Sequence, residues 1–283
     1  MYCIQKYDKP NLFVRCFKIV KLEGNKVYIP LINYEKQSKQ LKLEEKLAVK
    51  TEKIFGKLNS KKVVLSKDIK KYERYVNLLN TYQLDIINGK WLFSMLIPEI
   101  ISYIEVKKNI IPEETTIHIL TNDFTEVVIE NIKKLAQSHK HVAVITKNIS
   151  KIKKIEEQIL EETGSMITVM NNKKKGLAKA QLIINFDFPT ELLKQYVIYE
   201  DSIIVDITRN IDSLKKRFNG FIVANYEIDF KNKSEYKIDD KLFFARDLYE
   251  AEFYKNQPYK YVREKIKKDG IYIKSLYTKN QML

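Results

Sequence analysis

Short apolar runs alternate with amphipathic helical patterns through the second half of the chain. The apolar runs cover residues 116–120, 141–145, 166–170, 182–186, 202–206 and 221–224. Helical spacing of apolar positions predicts helices between them, over residues 123–138, 150–162, 176–180 and 190–199. Strands that alternate with helices form right-handed crossovers and a parallel sheet that is covered on both faces. The pattern therefore predicts a doubly wound α/β domain with strand order 3-2-1-4-5-6.

The first 110 residues combine strand and helix patterns in a less regular way. Strand patterns at residues 12–20 and 26–31 flank Glu23-Gly24-Asn25, which is typical of a hairpin turn. A helix is predicted over residues 40–54, short strands at 63–65 and 84–87, and a helix over 91–105 that Pro98 kinks or restarts. We predict a smaller α+β domain over residues 1–110 that ends in a connector helix. Residues 111–226 would form the doubly wound domain, and residues 227–283 a helical segment that packs back on both.

The charge of the chain is concentrated in the predicted N-terminal domain. The 283 residues include 51 Lys and Arg against 36 Asp and Glu, a net charge of +15, of which +11 lies before Ile111. Only six of the basic residues are Arg, the side chain that reads bases and phosphates through a planar fork. The excess of Lys together with Ile, Asn and Tyr favours codon bias as its origin. Binding of nucleic acid by the basic domain is the alternative, and it predicts an affinity that falls steeply with salt.

Composition and apolar segment length also predict whether the chain folds and whether it meets a membrane. At 45% hydrophobic residues the chain can bury a sizeable core, which excludes a fully disordered protein. Charged residues interrupt the N-terminus, so we expect no signal peptide, and the longest apolar segment, residues 91–104, is too short to span a bilayer. We therefore expect a cytoplasmic protein with no membrane partner. Cys3 and Cys16 lie in strand-like patterns, where buried, inert thiols are expected.

Three segments resemble the cofactor domain of the shikimate dehydrogenase and glutamyl-tRNA reductase superfamily. Thr146-Lys147-Asn148 resembles the Asn-Arg-Ser/Thr segment that faces the adenosine ribose or its 2′-phosphate in that family. Residues 183–189 resemble its Ile-Ile-Asn-Ala-Thr-Pro turn, and residues 203–207 its Val-Val-Asp-Val strand. The resemblance covers about 110 residues, from Thr115 to Asn225, and implies a Rossmann-like NAD(P)-binding domain.

The first strand-to-helix turn departs from that family. A pyrophosphate needs a glycine-rich turn there, because side chains obstruct its approach to the backbone. Residues 120–126 contain no glycine, and Asp123 and Glu126 add negative charge, although both residue types also cap helices. The family's catalytic Lys/Asp pair has no match within residues 1–110, and the Cys-Asn-Arg context of its reductase branch is absent. We therefore expect no cofactor, with NAD(P) as the alternative.

Candidate binding residues lie where ligands of doubly wound sheets bind, beyond the carboxyl ends of the strands. The cofactor-crevice candidates are Asn122, Thr146, Lys147, Asn148, Lys151, Asn185 and Asp206, and Asn171, Asp187 and Thr208 should lie at the same edge. Lys147, Asn148, Ser150 and Lys151 begin a helix, and Lys173, Lys174 and Lys175 follow the third strand. These two groups form either a site for a small anion or nucleotide, or a solvated basic loop.

Other chemistry has less support in the sequence. His139-Lys140-His141 would need a third ligand to hold a metal, so we predict no metal site, and His118 fits a packed histidine.

The leading hypothesis is a non-catalytic or regulatory protein that keeps the Rossmann-like scaffold and has lost the dinucleotide-binding loop. The alternatives are an NAD(P)-dependent oxidoreductase with an unorthodox loop, and a nucleic-acid-binding protein. A homodimer is compatible with the sequence, which carries no decisive signal for one.

Overall fold

The structure, a computed structural model, describes residues 2–58, 61–171, 175–211, 214, 218–231, 241–253, 257–278 and 281–283. The strands are β1 (Tyr2–Lys6), β2 (Lys21–Glu23), β3 (Lys26–Ile29), β4 (Lys62–Leu65), β5 (Asp85–Ile87), β6 (Thr116–Leu120), β7 (His141–Ile145), β8 (Thr168–Met170), β9 (Leu182–Asn185), β10 (Ile203–Asp206), β11 (Phe221–Val223), β12 (Asn225–Phe230) and β13 (Ile271–Tyr277). The helices are α1 (Leu12–Phe17), α2 (Gln37–Phe55), α3 (Lys67–Lys70), α4 (Glu73–Thr81), α5 (Lys90–Met95), α6 (Ile97–Lys108), α7 (Glu126–Ser138), α8 (Ile149–Thr163), α9 (Thr190–Leu193), α10 (Ala245–Phe253) and α11 (Tyr259–Asp269).

The chain divides into two compact units, each built from two stretches of sequence. Unit 1 contains Met1–Gly89 and Ser234–Asn256, and unit 2 contains Lys90–Lys233 and Gln257–Leu283. The division differs from the predicted boundaries at residues 110 and 226. Helices α5 and α6, predicted to connect two domains, pack against α7 within unit 2. The C-terminal part is also less helical than predicted, because β12 and β13 pair as a two-stranded antiparallel sheet.

Unit 1 is a five-stranded sheet with helices on both faces. Its order is β2-β3-β1-β4-β5, and only the β2–β3 pair is antiparallel. Successive side chains of a strand point to opposite faces. Accordingly Ile4 and Val63 pack with α2 and α4, while Cys3 and Val64 pack with Phe243 just before α10. The predicted hairpin is confirmed, with β2 and β3 joined at Gly24-Asn25, but its first strand is Lys21–Glu23 rather than residues 12–20.

Residues 12–17 are helical, which corrects the predicted strand and the predicted burial of Cys16. The Asn11 side chain accepts a hydrogen bond from the backbone N–H of Val14 at 2.8 Å and so starts α1. None of the helix residues is buried, and the Cys16 thiol is exposed. The expectation for Cys3 is confirmed, because this thiol is buried in β1 and burial raises its pKa.

Two glycines of unit 1 have a positive φ and give a matched pair of variants. Gly24 has φ +58° with nothing within 4 Å of an added Cβ, whereas Gly89 has φ +73° and its Cβ would lie 2.8 Å from Arg246 Cδ. We expect Gly24→Ala to lower the free energy of unfolding of unit 1 by about 1 kcal/mol, the cost of a left-handed non-glycine residue. We expect Gly89→Ala to lower it by roughly 2–4 kcal/mol, because a steric cost is added. Urea unfolding followed by circular dichroism measures both, and equal losses would contradict the prediction.

Unit 2 contains a six-stranded sheet in which every pair is parallel. Its order is β8-β7-β6-β9-β10-β11, which is 3-2-1-4-5-6 when the strands are counted from β6. The central strands β9 and β10 are buried along their whole length, which explains why they appear in the sequence as continuous apolar runs. The described structure is thus a mixed α/β protein with a Rossmann-like sheet. None of its described helices has the length and apolar character needed to cross a membrane.

Three predicted helices of unit 2 end or begin elsewhere. Helix α7 begins at Glu126 rather than Asp123, because the Thr125 hydroxyl caps it through the N–H of Val128. Residues 175–179 form turns in place of a helix. Helix α9 ends at Leu193 instead of Tyr199. The N–H of Tyr199 donates to the carbonyl of Leu177, which is not a helical hydrogen bond.

Candidate functional site

The polar candidates of unit 2 lie at the carboxyl ends of β6, β7, β9 and β10, as the parallel order of these strands requires. In a sheet of this kind the turn after the first strand presents free backbone N–H groups to an anion. That turn here runs from Thr121 to the helix cap at Thr125. Its hydrogen bonds therefore decide whether a phosphate can be held there.

The carboxylate of Asp187 already accepts those hydrogen bonds. The N–H of Asn122 lies 2.9 and 2.8 Å from its two oxygens, and the N–H of Asp123 lies 2.7 Å from Oδ2. The hydroxyl of Thr121 has the same oxygen 3.2 Å away. Asp187 follows β9, the strand beside β6, so the topology brings its side chain to this turn. The chain thus supplies an anion of its own at the turn where the fold usually binds a pyrophosphate.

A second link joins the first turn to the segment after β7. The side-chain oxygen of Asn122 accepts a hydrogen bond from the backbone N–H of Lys147 at 2.9 Å. The buried Thr146 hydroxyl accepts one from the N–H of Asn148 at 3.0 Å. The N–H groups of Lys147 and Asn148 therefore form hydrogen bonds within the protein, although this segment resembles the one that contacts the ribose in the family. Lys147 and Asn148 are exposed, and their side chains are not part of these bonds.

Asn185 and Asp206 form the third contact, between the ends of β9 and β10. Both are fully buried, and the amide nitrogen of Asn185 donates to Asp206 Oδ1 at 3.0 Å and to the carbonyl of Phe188 at 2.9 Å. Asn185 Oδ1 accepts the N–H of Phe188 at 2.9 Å, which closes the turn that carries Asp187. These side chains stabilise the backbone at the edge of the sheet and present no free group to a ligand.

The described side chains of the predicted anion site are exposed to solvent. Lys151 is exposed, with its ammonium 5.8 Å from the centre of the Phe124 ring, and Asn148 does not cap α8 with its side chain. Ser150, Asn171 and Lys175 are exposed, and Lys173 and Lys174 lie outside the described residues. A solvated basic loop agrees with this arrangement of the described side chains.

The role of Asp187 is what sequence reasoning missed. The sequence places Asp187 at the correct edge of the sheet, but it does not identify this side chain as the partner of the first turn. The available signal was the combination of a glycine-free turn with an acidic residue two positions after a neighbouring strand. An acid there can replace the anion for which the glycines normally make room.

The three histidines lie in different environments. His139 Nε2 lies 2.6 Å from Glu105 Oε1, so its imidazole bridges α7 and α6, whereas His141 is exposed. Burial lowers the pKa of His118, whose Nδ1 lies 3.2 Å from the carbonyl of Thr116. In the part of the chain that the structure describes, no three His, Cys, Asp or Glu side chains group as metal ligands.

No protein-family model matches the chain, and no curated protein matches it. Similar solved structures include the ligand-free 5-ketofructose reductase of Gluconobacter sp. strain CHM43, with 13% identity, a TM-score of 0.31, and coverage of 43% of this chain and 49% of the reductase. Ornithine carbamoyltransferase from Pyrococcus furiosus has 14% identity, a TM-score of 0.28 and coverages of 72% and 71%. L-Tryptophan dehydrogenase from Nostoc punctiforme has 8% identity, a TM-score of 0.28 and coverages of 77% and 64%.

The chain thus spans about half the length of the reductase and slightly under two thirds of the tryptophan dehydrogenase. At these identities and TM-scores none of the three assigns a function or a site residue to this chain. The Rossmann-like character of unit 2 rests on its own strand order and parallel pairing.

Proposed function

We propose that unit 2 is a Rossmann-like domain without a dinucleotide and that the protein is non-catalytic or regulatory. The observation that carries this proposal is the Asp187 carboxylate, which accepts the backbone N–H groups of Asn122 and Asp123. A pyrophosphate at this turn would have to displace a carboxylate whose charge repels it. The residues present therefore do not fit NAD(P) in its usual pose.

The geometry of the first turn supports this proposal over the oxidoreductase alternative. An oxidoreductase with an unorthodox loop requires backbone groups that face a hollow at Asn122 and Asp123. These N–H groups instead lie at hydrogen-bond distance from a carboxylate of the same chain. The link from Asn122 to the Lys147 N–H further ties the first turn to the segment that would hold the ribose.

Isothermal calorimetry with NAD, NADP and their reduced forms tests the proposal. We expect a dissociation constant weaker than about 1 mM for each, which corresponds to no more than roughly 4 kcal/mol of binding free energy. Micromolar binding of any of the four to the unaltered chain, lost in Lys147→Glu, would refute the proposal and support the oxidoreductase.

A variant of Asp187 tests whether its carboxylate prevents a phosphate group from binding at the first turn. Asp187→Ala leaves the N–H groups of Asn122 and Asp123 without their partner and removes one negative charge. We expect this variant to gain measurable affinity for inorganic pyrophosphate. The control is Asp201→Ala, an exposed acid before β10, at the opposite edge of the sheet, which should leave affinity unchanged.

A further inference from the structure

Helix α1 presents an apolar surface to solvent. The side chains of Leu12, Phe13 and Phe17 are exposed by 77%, 61% and 61%, and no residue of the helix is buried. Single exposed apolar residues are common, but a group of them on one short element marks a surface that something covers.

These side chains lie on one side of the helix. Leu12, Phe13, Cys16 and Phe17 stand at positions i, i+1, i+4 and i+5, which share a face at 3.6 residues per turn. The rings of Phe13 and Phe17 contact each other, with centroids 4.6 Å apart. We refer to these four residues as the α1 face.

The protein holds α1 in place although it buries none of it. The Asn11 side chain caps the first turn, and the ammonium of Lys50 in α2 donates to the carbonyls of Phe17 and Lys18 at 2.7 and 2.9 Å. Lys18 ends the helix in the left-handed conformation with φ 52°. These contacts give partners to backbone groups at both ends of the helix, which holds the α1 face in position at the surface.

The segment that contains the α1 face carries an excess of basic residues. Between Asp8 and Glu23 the chain carries four basic side chains and no acidic one: Lys9, Arg15, Lys18 and Lys21. Of these, Lys21 forms an ion pair with Glu23. An element with aromatic and aliphatic side chains on one face and basic residues around it is typical of segments that lie in a bilayer interface.

We propose that the α1 face inserts into the surface of a bilayer leaflet that contains anionic lipid headgroups. The basic residues complement those headgroups, and the apolar side chains enter the boundary between headgroups and acyl chains. A second copy of the chain would bring the same basic residues together, so charge argues against it. Nucleic acid would use stacking and phosphate contacts, which leaves Leu12 without a role. The expectation of no membrane partner concerns a signal peptide and a spanning segment, and a surface-bound helix is neither.

Co-sedimentation with vesicles tests the proposal on the full chain. We expect binding to vesicles with about 30% phosphatidylserine and not to pure phosphatidylcholine, weakened by salt. Phe13→Ser together with Phe17→Ser should lower the partition coefficient by roughly tenfold or more, and Arg15→Glu by roughly fivefold or more. These positions are exposed, so the variants should fold.

Two controls match the variants in chemistry and exposure. Val106→Ser on α6 alters a side chain exposed by 77%, the same fraction as Leu12, and should leave binding unchanged where Leu12→Ser weakens it. Lys154→Glu on α8 reverses an exposed charge far along the chain from α1 and should have no more than a small effect. Equal losses in the controls would show a nonspecific charge or solubility effect and overturn the proposal.

The exposed thiol of Cys16 permits a direct reading of insertion, because Cys3 is buried. A polarity-sensitive fluorophore on Cys16 should shift to the blue with anionic vesicles and remain unshifted with neutral ones. A shift that appears without lipid and grows with protein concentration would assign the α1 face to self-association. Displacement from vesicles by a single-stranded oligonucleotide would assign it to nucleic acid. Either result, or no binding to anionic vesicles, overturns the proposal.

Discussion

Replacing Asp206 with alanine is expected to lower the free energy of unfolding of unit 2 by about 3–5 kcal/mol. The carboxylate is fully buried at the end of β10. Its Oδ1 accepts hydrogen bonds from the Asn185 amide at 3.0 Å, and from the N–H and hydroxyl of Thr208 at 3.2 and 2.7 Å. Its Oδ2 accepts the N–H of Ile211 at 3.0 Å. Alanine leaves four donors without this acceptor, and a buried, unsatisfied donor costs about 1–3 kcal/mol. The loss stays below four times that value, because the Asn185 amide keeps the carbonyl of Phe188 and Thr208 is only half-buried.

Trp91 makes this loss measurable, since it is the only tryptophan of the chain and lies in α5 of unit 2. Urea unfolding followed by tryptophan fluorescence should show a lower midpoint for Asp206→Ala. Asp201→Ala removes an exposed acid five residues earlier and should change the free energy of unfolding by less than about 0.5 kcal/mol. A loss below about 1 kcal/mol in Asp206→Ala would mean that the carboxylate does not stabilise this edge of the sheet.

The contacts of Asp206 also explain why its position at the end of a strand does not tell whether it binds a ligand or stabilises the fold. The resemblance placed Asp206 in a strand of the cofactor domain, and the carboxyl end of a parallel strand is where ligands bind. The structure shows a carboxylate whose oxygens are used by Asn185, Thr208 and Ile211. Its partners lie on a turn and a neighbouring strand, and no local pattern identifies them.

The sheet of unit 2 was predictable because buried parallel strands produce apolar runs of limited length. Strands β6, β7, β9 and β10 coincide with such runs within one or two residues. The same criterion failed for residues 12–20, because an apolar run does not state whether its side chains face a core. Leu12 and Phe13 face solvent on a helix that Asn11 and Lys50 hold at its two ends, and Lys50 is more than 30 residues away.

The sequence predicts at which edge of the sheet the candidate site lies, but it does not predict which of its residues contact each other. The end of each strand follows from its apolar run, so Asn122, Lys147 and Asn185 were assigned to one edge of the sheet. The contact that decides the chemistry joins Asn122 to Asp187 across 65 positions. The sequence also does not show that residues 234–256 belong to unit 1. An amphipathic helix does not identify the surface that it covers.

Asp247→Ala is expected to lower the free energy of unfolding of unit 1 by about 3–5 kcal/mol. Asp247 is fully buried in the first turn of α10, forms an ion pair with Lys70, and has Oδ1 3.5 Å from Arg246 Nε. The ammonium of Lys70 and the guanidinium of Arg246 also lie over the Phe244 ring, at 5.1 and 4.5 Å. Removal of the acid leaves two cations, largely withdrawn from water, with less negative charge to balance them.

The pair formed by Lys71 and Asp68 provides the control on the same helix turn. Its side chains are exposed by 73% and 58%, against 22% and 0% for Lys70 and Asp247. The ion pair with Lys71 lowers the pKa of Asp68, so its contribution is present above the unfolded pKa of the acid and is lost as the pH falls through the lower, folded value. Solvent screens so exposed a pair, and Asp68→Ala should cost only a small fraction of the Asp247→Ala loss.

Hydrogen exchange locates the effect of Asp247→Ala within unit 1. Helix α10 packs on β4 and β5, so their amides should lose protection in this variant and keep it in Asp68→Ala. Lys70→Met combined with Asp247→Leu removes the Lys70–Asp247 pair and should recover part of the stability, because a buried ion pair can be replaced by apolar side chains of similar size, whereas Arg246 keeps its charge. If the double variant were as unstable as Asp247→Ala, the uncompensated charge of Lys70 would not be the source of the loss.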